Sequence, residues 1–142
     1  FEGTDVSVGR GTDWPFQVVG HPGHPGPAGI SFVPTRNSAS KYPPFEGKPC
    51  HGYDYRYLSV DSLFRQARLD LTPLLDMYCE HPDKSRFFLK NRYFERLAGT
   101  ESLRGQIEAG SFESDIRATS EDDLRSFREI RSKYLLYPDG FQ

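Results

Sequence analysis

Cysteine is scarce in this sequence: Cys50 and Cys79 are the only two among 142 residues. Two thiols cannot build the dense disulfide framework of small secreted domains, so two buried free thiols are the expected state. Positive charge is not in excess either. With 18 Lys and Arg against 20 Asp and Glu, the net charge is -2 and the pI about 6.1. That balance excludes the basic face of a typical nucleic-acid-binding domain and a polybasic membrane-surface segment. No run approaches the roughly 18 uninterrupted apolar residues of a membrane-spanning helix. The motifs of several enzyme classes are missing as well. No Gly-Lys-Ser/Thr follows a glycine loop, no GxGxxG is completed, and there is no HExxH, CxxC or GxSxG, which removes the common phosphate, dinucleotide, zinc and serine-hydrolase signatures. Cys50 and His51 are sequence neighbours, so on a strand they point to opposite faces and cannot form a nucleophile–base pair. His21, His24, His51 and Cys50 fit no zinc-ligand spacing, and no metal or other cofactor is expected.

What is present is a core. Leu, Ile, Val and Phe make up 33 of 142 residues and aromatics 14%, above the level of disordered chains. The size, 16.2 kDa, fits one domain spanning residues 1–142. The chain begins at Phe1 without a signal-peptide pattern and runs straight into motif-like sequence. The expectation is a piece of a longer protein.

Composition divides the chain. Residues 1–52 hold 9 of the 13 Gly and 8 of the 11 Pro, which predicts loops and short strands there and helices afterwards. Phe16–Val19, Ile30–Val33 and His51–Leu58 read as strands, the last rich in tyrosine. Residues 20–27, crowded with Gly, Pro and His, read as a surface loop. Val60, Leu63, Phe64, Ala67, Leu71, Leu74, Leu75 and Tyr78 fall on one helical stripe, capped by Ser59 or Asp61 and kinked or split by Pro73. A shorter helix is expected over Thr100–Ala109, stopped by Gly110. Another starts with Ser120-Glu121-Asp122-Asp123, whose acids suit the helix dipole. It buries Leu124, Phe127, Ile130, Tyr134 and Leu135 and ends at Pro138. The sum is an α+β domain, a small mixed sheet from the N-terminal third packed under helices from the C-terminal two thirds.

The chemistry concentrates at the start: Glu2, Gly3, Thr4, Asp5, Ser7, Gly9, Arg10, Gly11, Thr12 and Asp13. Glycines let the backbone approach a ligand closely. An Arg between two of them presents a planar fork suited to a carboxylate or phosphate. Paired carboxylates drawn from Glu2, Asp5, Asp13, Glu46 and Asp54 would suit glycoside hydrolysis, and Trp14 and the tyrosines can stack on sugar faces.

The order of motifs narrows this. Phe1-Glu2-Gly3-Thr4-Asp5-Val6-Ser7-Val8-Gly9-Arg10-Gly11-Thr12, Pro15-Phe16 and Val18-Val19-Gly20-His21-Pro22 resemble the C-terminal domain of the bacterial exo-β-N-acetylmuramidase family, the NamZ/YbbC-like proteins. Phe32-Val33-Pro34-Thr35, Ser40-Lys41-Tyr42, Cys50-His51-Gly52, Leu97-Ala98-Gly99, Leu103-Arg104 with Ile107 and Gly110, and Arg131–Tyr137 continue the match in order. The resemblance implies a glycosidase that removes N-acetylmuramic acid from peptidoglycan fragments. It implies an N-terminal Rossmann-like domain, absent here, and a site in the cleft between the two domains. Glu2 is the implied second carboxylate. Arg10 is the candidate to bind the lactyl carboxylate of the sugar. Asp5, Ser7, Thr12, Lys41 and Tyr42 are further candidates for the substrate side. Relatives place Gly-Ala-Pro-Trp where this chain has Gly20-His21-Pro22-Gly23, so a stacking Trp is missing and sugar preference is expected to differ. The fragment alone is expected to be inactive. The expected partners are muramic-acid sugars and the N-terminal domain, and the expected location is the periplasm or cell exterior. The competing class is a non-catalytic cell-wall carbohydrate-binding or structural interaction module.

Overall fold

The computed structural model describes residues 1–25 and 29–137. Gly26, Pro27 and Pro138, which figured in the expected loop and helix end, lie outside these residues. Three strands, β1 (Val18–His21), β2 (Ile30–Phe32) and β3 (Cys50–Asp54), form one sheet in the order β1-β3-β2. Both pairings are antiparallel, with Gly52 of β3 opposite Gly20 on one side and Ile30 on the other. The mixed sheet thus narrows to an antiparallel one. Gly52 fits there because it has no side chain: a β-carbon would lie 2.2 Å from the Val19 carbonyl oxygen and 2.4 Å from Cε of Met77.

Successive strand residues face opposite sides, and both sides of this sheet are covered. Val18 packs with Phe32 and Cys50 in a small cluster. Val19 joins the main core of Val6, Leu74, Met77, Phe87, Phe88, Phe94, Ile107 and Ile116. Within that core, aromatic rings run in series from Tyr78 through Phe87 and Phe88 to Phe94, with centroids 5.2, 4.9 and 4.6 Å apart. Such tilted and edge-on pairs add to the burial gain.

The strands are shorter than their sequence runs. Phe16 adopts a left-handed φ of 63° and is exposed, so β1 begins only at Val18. The third run stops at Asp54 because that carboxylate folds back on Arg56, accepting from its backbone N–H at 3.0 Å and from Nε at 2.9 Å.

Among the described residues seven helices follow: α1 (Val60–Gln66), α2 (Thr72–Cys79), α3 (Lys84–Phe87), α4 (Tyr93–Ala98), α5 (Ser102–Glu108), α6 (Glu113–Ala118) and α7 (Glu121–Ser132). The stripe from Val60 to Tyr78 is split into α1 and α2. Ser59 caps α1 by accepting from Ser62 N–H at 3.1 Å, and Ala67 ends it in the left-handed region at φ 47°. Pro73 lies in the first turn of α2, where a missing N–H costs nothing, so it starts a helix instead of kinking one. α5 ends as expected near Gly110, which takes φ 75°.

Two helices depart from expectation in burial. α1 and α7 contain no buried residue. On α7, Leu124, Phe127 and Ile130 are 51%, 58% and 55% exposed. Their apolar spacing is real, but nothing among the described residues covers it. Both thiols are free and Cys50 is buried, as expected, while Cys79 differs from expectation in being exposed.

Candidate functional site

Residues 1–12 are held by backbone bonds at three places. Thr4 N–H donates to Phe1 C=O at 2.9 Å, and Asp5 N–H donates to Phe87 C=O at 2.7 Å while Leu89 N–H donates to Gly3 C=O at 2.9 Å. Further along, Ser7 and Gly20 exchange N–H···O=C bonds at 2.8 and 2.9 Å. The segment therefore lies across two layers, tied to the α3–α4 connection at one end and to β1 at the other. Gly3, at φ 90°, fits because a β-carbon would stand 2.5 Å from the Phe94 backbone nitrogen.

After Ser7 the chain turns sharply. Gly9 and Gly11 take φ 76° and 83°, which a larger residue resists. Ser7 is fully buried, and its Oγ accepts from Gly9 N–H at 3.3 Å. Thr12 Oγ1 donates to Gly9 C=O at 2.6 Å and accepts from Trp14 N–H at 3.0 Å. Ser7 and Thr12 thus shape the turn that carries Arg10. Arg10 itself is exposed and makes no hydrogen bond or ion pair with the described residues. A fixed backbone presenting a free guanidinium is a suitable receptor for a carboxylate.

The 35–43 loop abuts this turn. Thr35 N–H donates to Gly11 C=O at 2.8 Å, and Pro43 Cβ stands 2.6 Å from where a Gly11 side chain would begin. The fold therefore brings the loop bearing Lys41 and Tyr42, both exposed, to the flank of Arg10. Tyr42 is partnered by Arg36, whose guanidinium carbon is 5.2 Å from the ring centroid. Glu2 is exposed at the other anchored end, next to Gly3 and Phe94. Asp5 turns away from this edge, toward His21 and His81. His81 carried no spacing signal, because the sequence separates it from both partners.

Trp14 is stacked by Arg56, whose guanidinium carbon lies 4.1 Å from the ring centroid. Arg56 is held by Asp54, and that hydrogen-bonded cation keeps the Asp54 carboxyl below the usual carboxylate range. One face of the indole is therefore taken by a side chain of the protein.

A groove of about 780 Å³ opens beneath α7, lined by Leu71, Leu103, Ile116, Leu124, Arg125 and Arg128 among others. None of the candidate residues from the first segment reaches it. From α7 it takes Leu124 with Glu121, Arg125 and Arg128, set against Leu71, Leu103 and Ile116.

A small antiparallel sheet followed in the chain by helices defines an α+β domain. The chain belongs to the family described as exo-beta-N-acetylmuramidase NamZ, C-terminal, whose model matches residues 1–137. It is 31% identical over 152 aligned positions to the peptidoglycan beta-N-acetylmuramidase NamZ of Bacillus subtilis (strain 168), covering 96% of this chain and 35% of that protein. Among solved structures it resembles a DUF1343 family protein from Bacteroides fragilis NCTC 9343. That match has a TM-score of 0.88 and 39% identity, over 99% of this chain and 38% of the other. The chain therefore spans little more than a third of the length of these relatives.

Proposed function

We propose that this chain is the C-terminal domain of a peptidoglycan-processing exo-β-N-acetylmuramidase and supplies part of the cleft that binds N-acetylmuramic acid. The observation that carries the reading is Arg10, held exposed between two left-handed glycines within a chain that matches the family along its length. N-acetylmuramic acid differs from N-acetylglucosamine by a lactyl carboxylate, and a guanidinium fork binds such a group through two parallel charge-assisted hydrogen bonds. Lys41 and Tyr42 flank Arg10 on the same edge and line the cleft with it. Glu2 is the residue offered toward the glycosidic bond. Glycoside hydrolysis takes two carboxyl groups, so the second comes from the N-terminal part of the longer protein. The exposed apolar faces of α1 and α7 support such a neighbour, because a large uncovered apolar surface marks an interaction site. From that substrate class we infer a location in the periplasm or outside the cell.

The test is hydrolysis of a chromogenic β-N-acetylmuramide by the longer protein, with the matching β-N-acetylglucosaminide as control. Arg10→Ala is expected to raise KM for the muramide about 10- to 100-fold, the worth of a charge-assisted hydrogen bond, and to leave the glucosaminide unaffected. Glu2→Gln is expected to lower kcat by orders of magnitude. Binding without turnover in the unaltered protein would replace this reading with a carbohydrate-binding module.

A further inference from the structure

Behind the exposed edge, three side chains from distant parts of the chain converge. Asp5 comes from the first segment, His21 from the end of β1, and His81 from the turn between α2 and α3. Each offers one ligand atom, and the three atoms lie within 4.8 Å of one another. Nε2 of His21 is 4.0 Å, and Nε2 of His81 3.8 Å, from Oδ2 of Asp5, too far for hydrogen bonds. The His81 side chain is 3% exposed, and its Nε2 has no hydrogen-bond partner. Its Nδ1 stands 2.7 Å from the Asp83 carbonyl oxygen and 3.2 Å from Asp83 N. Nδ1 either donates to this carbonyl or accepts from the Asp83 N–H, according to the tautomer. In the first tautomer Nε2 carries a bare lone pair, facing a carboxylate and a second imidazole. In either, a buried polar nitrogen is left without a hydrogen bond, which is costly and which a ligand at this point would relieve.

We propose that Asp5, His21 and His81 form a binding site for a divalent transition-metal ion of the zinc type. Two imidazoles and one carboxylate are a donor set for zinc or iron(II) that leaves a coordination position open. Around a tetrahedral ion with bonds of about 2.0–2.2 Å, neighbouring donor atoms stand about 3.3–3.5 Å apart. The two separations to Asp5, 4.0 and 3.8 Å, need to contract by about half an ångström to meet that, and all three donor atoms already lie within 4.8 Å of one another. With the hydrogen on Nδ1, His81 has the support of a ligating imidazole, its far N–H donating to the Asp83 carbonyl. Phe87 packs edge-on against His81 and Phe45 against His21, with centroids 5.4 and 4.9 Å apart, so water is kept from two sides. The Asp5 side chain is 25% exposed, which leaves an entry path.

His21 is the residue that must adapt. Gly23 N–H donates to its Nδ1 at 2.9 Å, which puts the ring hydrogen on Nε2, the nitrogen facing Asp5. Ligation moves that hydrogen to Nδ1, which then needs an acceptor. The turn His21–His24 is closed by His24 N–H on His21 C=O at 3.2 Å, with Pro22 and Gly23 at its centre. Gly23 is not left-handed here, although Pro-Gly at these positions suits a type II turn, which requires positive φ at the glycine. Rotating the Pro22–Gly23 peptide by half a turn produces that turn and points the Pro22 carbonyl where the N–H had been. The same four residues can thus support both tautomers of His21.

The experiment is titration of chelator-stripped protein with zinc by calorimetry, and with cobalt(II) by visible absorption. One equivalent is expected to bind, with a cobalt spectrum of low coordination number and a rise in unfolding temperature on adding zinc. Asp5→Asn and His81→Gln are expected to weaken binding at least about 100-fold, more than loss of an outer hydrogen-bond partner costs a metal site, and to abolish the thermal shift. If His81→Gln does not fold, Asp5→Asn, at a partly exposed side chain, carries the test. No binding, or undiminished binding in Asp5→Asn, overturns the proposal, the latter placing the metal at other ligands such as the exposed Cys79. The readout is binding alone, so it stands or falls separately from the glycosidase reading.

Discussion

The sheet and the first segment differ from the flanking helices in one respect: whether their apolar surface is finished. Around β1 and β3 every face is covered, and Val18, Cys50 and Phe87 are fully buried. α1 and α7 carry equally regular apolar spacing and bury nothing. Periodicity in a sequence therefore says that a face will be covered, and does not say by what. In the first region the cover is the chain's own; in the second no cover is found among the described residues.

The comparison can be broken most sharply by truncating one aromatic on each side. Phe87→Ala is expected to cost about 3–5 kcal/mol, a large share of the roughly 5–15 kcal/mol that holds an ordinary domain folded. Phe127→Ala should cost under about 0.5 kcal/mol in this chain. Urea midpoints of the two variants check this, and equal losses would mean that α7 is covered in solution. Repeating Phe127→Ala in the longer protein sharpens the point, since a loss above about 1 kcal/mol there identifies the partner as the N-terminal part.

Next in size is Gly52→Ala, which pushes a methyl group against Val19 and Met77. About 1–3 kcal/mol of destabilisation is expected from such overpacking, read from the same midpoints. Arg10→Ala, by contrast, should leave the urea midpoint unchanged, since Arg10 touches nothing that holds the fold.

The thiols give the smallest effect and the simplest assay. Cys79 should react with a thiol reagent at pH 8 in the folded protein, and Cys50 only after unfolding. Burial pushes the Cys50 thiol up to about 12 from an ordinary value near 9, and Tyr55 likewise up to about 12. Both groups keep their protons longer when folded. Their contribution is whole below their ordinary values and is lost as pH rises from about 9 toward 12. A urea midpoint that held constant through that window would contradict the burial of both.

Much of this architecture was legible beforehand. The α+β class followed from the division between Gly/Pro-rich and Leu/Arg-rich halves, and the turn around Arg10 from its flanking glycines. The split between α1 and α2 was legible in part, because Pro73 signalled a break but not that the break falls at Ala67. The exposure of α7 was not legible, since a helical stripe looks the same whether its cover is present or not. Nor was the meeting of Asp5 with His21 and His81. Their proximity is created by the pairing of residues 3–5 with 87–89, and no local pattern encodes a contact across so many residues.

That pairing also has a consequence in time. The bonds joining Gly3 and Asp5 to Phe87 and Leu89 close one of the longest loops the chain can make, and long-range contacts are rewarded only after the entropy of closure has been met. The sheet pairings and the α2–α3 unit join residues nearer in sequence and can form without it, and the turn around Arg10 is tied locally, Ser7 to Gly20 and Val8 to Phe16. Residues 1–5 should therefore dock late in folding and open early in hydrogen exchange, so the stretch that carries Glu2 is assembled after the turn that carries Arg10 and released before it.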